Sequence, residues 1–314
     1  MSRNSNKRSL VISAVIVAVV VVAITSVAGS LIVGEPEDST SKSSDDPRII
    51  PWRHVHGVGL DPANGDILYI ATHGDFYQSH SDGPPVKVDK VRADYMAFNA
   101  PPASGVPLYA SGHPSTGGNT GLIKSTDGGI TWESVSKVLE PPVDFHAMAI
   151  SRHDPNVLIG FDSGARGLFK TSDAGKNWET LEYPEYISAL EISPDDSQII
   201  FAGTGKGIFK SSDNGKSWIQ LGAYRGLTVF ALAFDDKGVL FSSVDTFGLI
   251  RSDDLGESWQ DLDDLDLTVT SITADSESNN LYIAGYSSGG FQEVYKIPYD
   301  ISSYQVIGTN KGLK

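Results

Sequence analysis

The chain has 314 residues, no cysteine and a formal net charge of -15 at pH 7. This length allows one large domain or two smaller ones, and the lack of cysteine excludes disulfides, thiolate metal ligands and a cysteine nucleophile. The negative charge disfavours nucleic acid and anionic lipid headgroups as partners, and solubility in an extracellular medium is its simplest explanation. We therefore predict no nucleic-acid partner.

The N-terminus predicts a membrane anchor. Three cations among the first eight residues precede an uncharged, largely apolar run from Ser9 to Gly34, which is long enough to cross a bilayer as a helix. Positive charges in front of such a helix keep that end in the cytoplasm. We predict a cytoplasmic segment (1–8) and a single transmembrane helix (9–33), with the rest outside the cell membrane. The alternative is a signal peptide cleaved near Ala28, which would give a secreted protein.

The next stretch, residues 34–47, is polar, acidic and free of aromatic side chains. Such a composition cannot bury enough apolar surface to fold, so we predict a disordered linker. Residues 48–314 then form the extracytoplasmic domain.

Within that domain the pattern S/T-x-D-x-G-x-x-W occurs four times. The Asp and Ser/Thr side chains accept hydrogen bonds from nearby backbone N–H groups, and glycine supplies a positive φ, as a tight turn between two strands requires. We expect the Asp in the interior of the turn and the Trp at the start of the next strand, packed on a neighbouring sheet. This structural role is assigned to Asp127, Trp132, Asp173, Trp178, Asp213, Trp218, Asp254 and Trp259.

The four turns belong to a unit of about 40 to 50 residues, and a repeat of this length is typical of solenoids and propellers. Each unit shows three short strands before the turn, and its first strand is rich in small residues, as the centre of a closed ring requires. Counting first strands gives six units, of which the first and last lack the full motif; Ser79–Gly83 is a degenerate copy in the first. We predict an all-β, six-bladed β-propeller, which limits exposed sheet edges by radial closure.

The repeated turns resemble Asp-boxes, or BNR repeats. These occur in sialidases, in sortilin-type receptor ectodomains and in photosystem II assembly-factor-like propellers, and the likeness covers nearly all of residues 50–310. Four histidine segments, around His56, His73, His113 and His146, also resemble uncharacterised secreted prokaryotic propellers that are called glycosyl-hydrolase-like. Both resemblances imply the propeller fold, and a fold of this kind carries many functions.

The histidines are the strongest candidates for a functional site. In a propeller the loops entering first strands and the turns after second strands share one face, opposite the Asp motifs. That rule places His54 and four predicted metal ligands, His56, His73, His113 and His146, on one face of blades one to three. Imidazoles that converge there could bind Cu or Zn, with Asp75, Asp94, Asp144 or Met96 as additional ligands or partners. Alternatively, they hydrogen-bond loop backbone in a wet channel.

The same face carries carboxylates that could catalyse glycoside hydrolysis, which requires a pair of acids. The candidate catalytic residues are Asp94, Asp144, Asp162 and Asp245. Sialidase chemistry itself needs several arginines around the substrate carboxylate, and the seven arginines after residue 34 are not positioned to supply them. We therefore expect a membrane-anchored binding or scaffold module for a protein, a glycan or a metal. The alternative function is a glycoside hydrolase of the same fold with non-sialidase chemistry.

Overall fold

The computed structural model describes residues 46–100, 103–262 and 265–313. The described residues form six four-stranded antiparallel sheets in which each strand pairs with the next along the chain. Blades one to three consist of β1 (Val55–Asp61), β2 (Asn64–Thr72), β3 (Phe76–His80), β4 (Val86–Lys87), β5 (Ala93–Asn99), β6 (Leu108–Pro114), β7 (Leu122–Ser125), β8 (Glu133–Ser136), β9 (Phe145–Ile150), β10 (Leu158–Asp162), β11 (Leu168–Thr171) and β12 (Glu179–Leu181). Blades four to six consist of β13 (Ile187–Ile192), β14 (Ile200–Thr204), β15 (Gly207–Ser211), β16 (Ile219–Gln220), β17 (Val229–Phe234), β18 (Leu240–Val244), β19 (Gly248–Ser252), β20 (Gln260–Asp261), β21 (Leu267–Asp275), β22 (Asn280–Ser287), β23 (Gln292–Pro298) and β24 (Gln305–Thr309).

The six blades surround a central channel. Their first strands pack side by side in chain order, and β21 packs on β1 to complete the ring. The channel has a volume of about 340 Å³ and is lined by these first strands. The predicted all-β, six-bladed propeller is confirmed. Within the described ranges no helix is long and apolar enough to cross a membrane.

The hydrophobic core is divided among the boundaries between blades. Each of six buried clusters combines residues of two neighbouring blades, as in the cluster of Tyr69 and Phe76 from blade one with Tyr95 and Phe98 from blade two. Because every blade buries both of its faces against neighbours, the ring is held together by side chains that alternate across each sheet.

The repeated Asp turns link the third and fourth strands of blades two to five. In the copy at Asp213, Ser211 Oγ accepts from Gly215 N at 2.8 Å and donates to Asp213 Oδ1 at 2.8 Å, and the Asp213 carboxylate accepts from Ser217 N at 2.9 Å. The Ser217 hydroxyl also donates to Asp213 Oδ2 at 2.6 Å, and this bond, with those from Ser217 N and Ser211 Oγ, lowers the pKa of Asp213 to about 2. The hydrogen-bonding role is confirmed, but the interior placement is wrong for Asp127 and Asp254, which are exposed. The carboxylate lies at the protein surface and accepts hydrogen bonds from residues of its own turn.

The tryptophan and glycine of the motif attach each turn to the preceding blade. Trp178 Nε1 donates to Ser136 Oγ of blade two at 3.0 Å, and its half-buried ring lies 5.6 Å from that of Phe145. Gly175 has a φ of 88°, and a Cβ there would lie 2.4 Å from Leu122 of blade two. The fourth strand begins one residue after the tryptophan, at Glu179. Glycine therefore serves both the turn and the close approach between blades.

The ring closes where blade one meets blade six. The segment before β1 runs parallel to β24, with Ile50 N donating to Thr309 O at 2.8 Å and Thr309 N to Arg48 O at 2.9 Å. Inside this seam, Val55 N donates to the Oε1 atom of the buried Gln292 at 2.6 Å. The degenerate turn of blade one adds Asp82, whose carboxylate accepts from Lys296 Nζ at 2.6 Å.

The predicted cytoplasmic segment 1–8, the anchor 9–33 and nearly all of the linker 34–47 lie outside the described residues, so they stay predictions.

Candidate functional site

Five histidines lie on the face of the propeller opposite the Asp turns. They lie at the starts of first strands or at the ends of second strands, which share that end of the ring because the strands alternate in direction. We call this surface the His-bearing face and define it by His54, His56, His73, His113 and His146.

The first cluster lies between blades one and two and consists of His56, His73 and Asp94. His56 Nε2 lies 2.8 Å from Asp94 Oδ1, and His73 Nδ1 lies 2.9 Å from Asp94 Oδ2. The three side chains each offer one ligand atom within 4.8 Å of the others. His56 belongs to β1, whereas His73 follows β2 and forms an isolated bridge to Asp94 on β5. Two imidazoles of one blade thus meet a carboxylate of the next.

The second cluster lies between blades two and three and consists of His113, Asp144 and His146. Asp144 Oδ2 lies 3.0 Å from His146 Nε2 and 3.4 Å from His113 Nε2, and it accepts from Ser163 Oγ at 2.8 Å. The other ring nitrogen of His113 lies 3.1 Å from Gly118 O. Here too the ligand atoms of the three residues lie within 4.8 Å of one another.

The two clusters share one contact because the blades repeat, although the other imidazole comes from the earlier blade in the first cluster and from the later blade in the second. The residue at, or just past, the end of a second strand contacts a residue at the start of the next blade's first strand. His73 reaches Asp94 in this way, and His113 reaches Asp144. At the seam the equivalent pair is Tyr286 and His54, whose hydroxyl and Nδ1 are 2.8 Å apart. Neither residue is among the four predicted ligands, although alignment of the repeats on these positions would have indicated both.

Several buried polar atoms of the clusters lack a hydrogen bond. They are His56 Nε2, Asp94 Oδ1 and Asp144 Oδ1. The 2.8 Å separation of His56 Nε2 and Asp94 Oδ1 is therefore a close contact without hydrogen-bond alignment. Buried polar atoms are nearly always satisfied in folded proteins, so such exceptions call for an explanation.

The clusters concentrate charge. Burial raises the pKa of each carboxyl, but bonding to the imidazoles outweighs burial, so the pKa values of Asp94 and Asp144 both lie below their ordinary range. The hydrogen bond to Asp144 raises the pKa of His113 to about 9. Burial, followed by the neighbouring His56 and His73, lowers the pKa of His54. The face thus combines ionised carboxylates with imidazoles in different charge states.

The other predicted carboxylates are arranged differently. Asp162 is buried and forms two bonds with Arg166, at 2.6 Å and 2.9 Å, which offset the effect of burial and lower its pKa. Asp245 lies away from both clusters, in a groove of about 470 Å³ on blades five and six that Tyr286 also lines. Asp75 forms ion pairs with Lys87 and Arg92 rather than with a histidine.

Comparisons with known proteins agree with this architecture. Residues 123–134 match the family model of the BNR/Asp-box repeat, and residues 263–292 match that of the beta-propeller repeat. The chain is a β-propeller with Asp-box repeats. No curated protein matches its amino-acid sequence.

The propeller is also similar to several solved structures. A GH74 xyloglucanase from Xanthomonas campestris superposes with a TM-score of 0.59 at 17% identity, covering 80% of this chain and 45% of the enzyme. A GH74 enzyme from Niastella koreensis superposes with a TM-score of 0.55 at 17% identity, covering 72% of this chain and 38% of the enzyme. YCF48 from Cyanidioschyzon merolae superposes with a TM-score of 0.50 at 15% identity, covering 75% of this chain and 94% of YCF48. This chain matches less than half the length of the two GH74 proteins, and identities this low establish the fold alone.

Proposed function

We propose that this propeller is a binding module whose His-bearing face holds divalent transition-metal ions of the zinc or copper class. The supporting observation is that two imidazoles converge on one carboxylate in each of two clusters, with ligand atoms within 4.8 Å of one another. Ligands of a tetrahedral Zn²⁺ lie about 2.0–2.2 Å from the ion, hence roughly 3.5 Å from each other. Side-chain shifts of about 1 Å would bring either set to that geometry.

Hydrogen bonding in the second cluster supports a cation there. His113 Nδ1 is placed to donate to Gly118 O, while Nε2 lies 3.4 Å from the Asp144 carboxylate. In the metal-free chain the raised pKa of His113 keeps a proton on Nε2, and a metal ion that binds there takes the place of that proton between the two groups. A ligand histidine whose other N–H donates to a backbone carbonyl is the usual arrangement in metal sites.

The alternative function, glycoside hydrolysis, has less support from the same residues. A glycosidase needs a carboxylic acid whose raised pKa keeps it protonated near the leaving group. The pKa values of Asp94, Asp144 and Asp162 are instead lowered. Turnover of a panel of β-glucans by the metal-free chain, lost in Asp144→Asn, would favour the enzyme over the binding module.

In this proposal residues 9–33 anchor the chain in the cell membrane and the propeller faces outward, where a protein or glycan partner would meet the His-bearing face. Protease treatment of intact cells tests that orientation. Digestion of the propeller without lysis is expected, and complete protection would refute it.

Metal binding is tested on the full chain. The chelator-stripped protein is dialysed against Zn²⁺ or Cu²⁺ and the bound metal is counted. We expect two ions per chain, about one in the double variant His56→Ala/His73→Ala or in His113→Ala, and almost none when all three substitutions are combined. His153→Ala is the matched control, because His153 is exposed on the opposite face and belongs to neither cluster. A wild-type chain that retains no stoichiometric metal would overturn the proposal.

A further inference from the structure

The two clusters differ in the number of imidazoles within reach. The ring centroids of His54, His56 and His73 form a nearly equilateral triangle with sides of 6.1, 6.2 and 6.3 Å. Three imidazoles on one tetrahedral Zn²⁺ have centroids roughly 5 Å apart, given nitrogen–metal distances of about 2 Å. For His54 to join the first cluster, the three centroids must draw together by roughly 1 Å and the rings must turn their free nitrogens toward one point.

The contacts of His54 suit it to be a ligand. Its Nδ1 lies 2.8 Å from the hydroxyl of the half-buried Tyr286, which leaves Nε2 as the nitrogen for a metal ion. A ligand histidine is commonly oriented by such a partner on its other nitrogen. His54 precedes β1 at the position that Asp94 and Asp144 occupy in the next two blades, so the fold itself brings it to the same level of the ring.

The second cluster has no corresponding third imidazole among the described residues. The position of His56 and His146 is taken by Met96 in blade two and by Ser188 in blade four. Beside Asp144 lie Ser163, whose hydroxyl donates to it, and Tyr186, whose hydroxyl donates to Ser163 O at 3.3 Å. The side of the second cluster toward blade four is thus bordered by hydroxyl groups.

We propose that the two metal sites are unequal. The first has four protein ligands, His54, His56, His73 and Asp94, whereas the second has three, His113, His146 and Asp144. This inference rests on the proposed metal binding and goes beyond it. Four protein ligands close a tetrahedral site, which then serves structure, while three leave one position for a ligand from outside the protein.

The charge around the second site indicates the chemical class of that ligand. A divalent ion with two neutral imidazoles and the Asp144 carboxylate carries a net charge of about +1, and Asp162 is already neutralised by Arg166. The fourth ligand is therefore an anionic oxygen or nitrogen donor, such as a carboxylate of a partner molecule. In the first site Asp94 gives the same charge, but His54 takes the fourth position.

Cobalt separates the two sites in the full chain. Co²⁺ replaces Zn²⁺ in such sites and its visible absorption reports coordination number, while azide serves as the anionic probe. We expect two Co²⁺ per chain, with an azide-dependent spectral change from one of them. In His113→Ala that change should disappear, whereas in His54→Ala both ions should respond. His54→Gln, which keeps a polar side chain of moderate size, replaces His54→Ala if the latter does not fold.

Each outcome has one meaning. A chain that binds no cobalt refutes the proposed metal binding. Two bound ions that both respond to azide in the wild type, or that both fail to respond, refute the inequality and leave metal binding intact. The inference is also refuted if His54→Ala and His54→Gln keep a single responsive ion. Tyr286→Phe, which removes the hydroxyl partner of His54, should weaken the first site about 10–100-fold and leave the second unchanged.

Discussion

Replacement of Glu191 by glutamine should stabilise the propeller at neutral pH. Glu191 lies on β13 beside the channel, largely withdrawn from solvent, and its Oε1 accepts from Phe234 N of blade five at 3.2 Å. Burial raises the pKa of this carboxyl from 4.5 to about 7, despite the opposing charge of Arg152. Glutamine keeps the acceptor oxygen and cannot ionise.

The size and sign of the effect follow from the raised pKa. The folded chain holds the Glu191 proton up to about pH 7, whereas the unfolded chain releases it near pH 4.5, so the wild type loses stability as the pH rises through this interval. A difference of about 2.5 pKa units corresponds to about 3 kcal/mol. The advantage of Glu191→Gln should therefore be small below pH 4.5, grow toward about 3 kcal/mol at pH 7, and then level off.

Urea unfolding followed by tryptophan fluorescence measures this difference. Trp52 is buried and the tryptophans of the Asp turns are half-buried at blade boundaries, so unfolding changes their environment. A chelator keeps the histidine clusters metal-free, and their titration cancels between two proteins that share them. Glu185→Gln, in the loop that leads into the same blade, is the control; Glu185 is partly exposed and pairs with Lys206 at the surface, so this variant should show no such trend. A stability difference between Glu191→Gln and wild type that stays constant from pH 4.5 to 8 would refute the reasoning.

Two further predictions concern the turn motif and the second cluster. Ser211→Ala should lower the free energy of unfolding by about 1–2 kcal/mol, because the buried Gly215 N–H loses its acceptor. Ser212→Ala, at the exposed neighbouring residue, is the control. Equal losses of stability in the two variants would contradict the role assigned to Ser211. In the metal-free chain, Asp144→Asn should lower the pKa of His113 from about 9 toward its ordinary value of 6.5, since the bond to Asp144 is the main cause of the increase. NMR titration of the imidazole measures this shift, and an unchanged pKa would show that Asp144 is not the cause.

The fold could be predicted from the sequence because its signals are local. Each Asp turn makes its hydrogen bonds within seven residues, as Ser211 and Ser217 do with Asp213, so the motif marks the same place in every blade that carries it. Blades one and six lack the motif and were recognised only by their first strands. The parallel pairing of Ile49 with Thr309 was not predicted, because nothing in either segment specifies a partner so distant in sequence.

The site was predictable only in part, because some of its contacts join residues that are distant in sequence. Alternation of strand direction is enough to place His56 and His73 on one face. Their meeting with Asp94 depends on how two blades pack, which no local pattern encodes. The bond between Asp162 and Arg166 did have a local signal, an acid and a base four residues apart at a turn.

The seam between blades one and six determines the order in which the ring can form. Most contacts within a blade join strands that are adjacent in sequence, and contacts of this kind form quickly. The bond from Val55 to Gln292 instead joins residues 237 positions apart, and that from Asn310 to Trp52 spans 258. Such contacts carry the largest loop-closure entropy in the chain. The last blade must therefore be in place before the first is secured, and a nascent chain still on the ribosome leaves uncovered the face of blade one that packs on blade six.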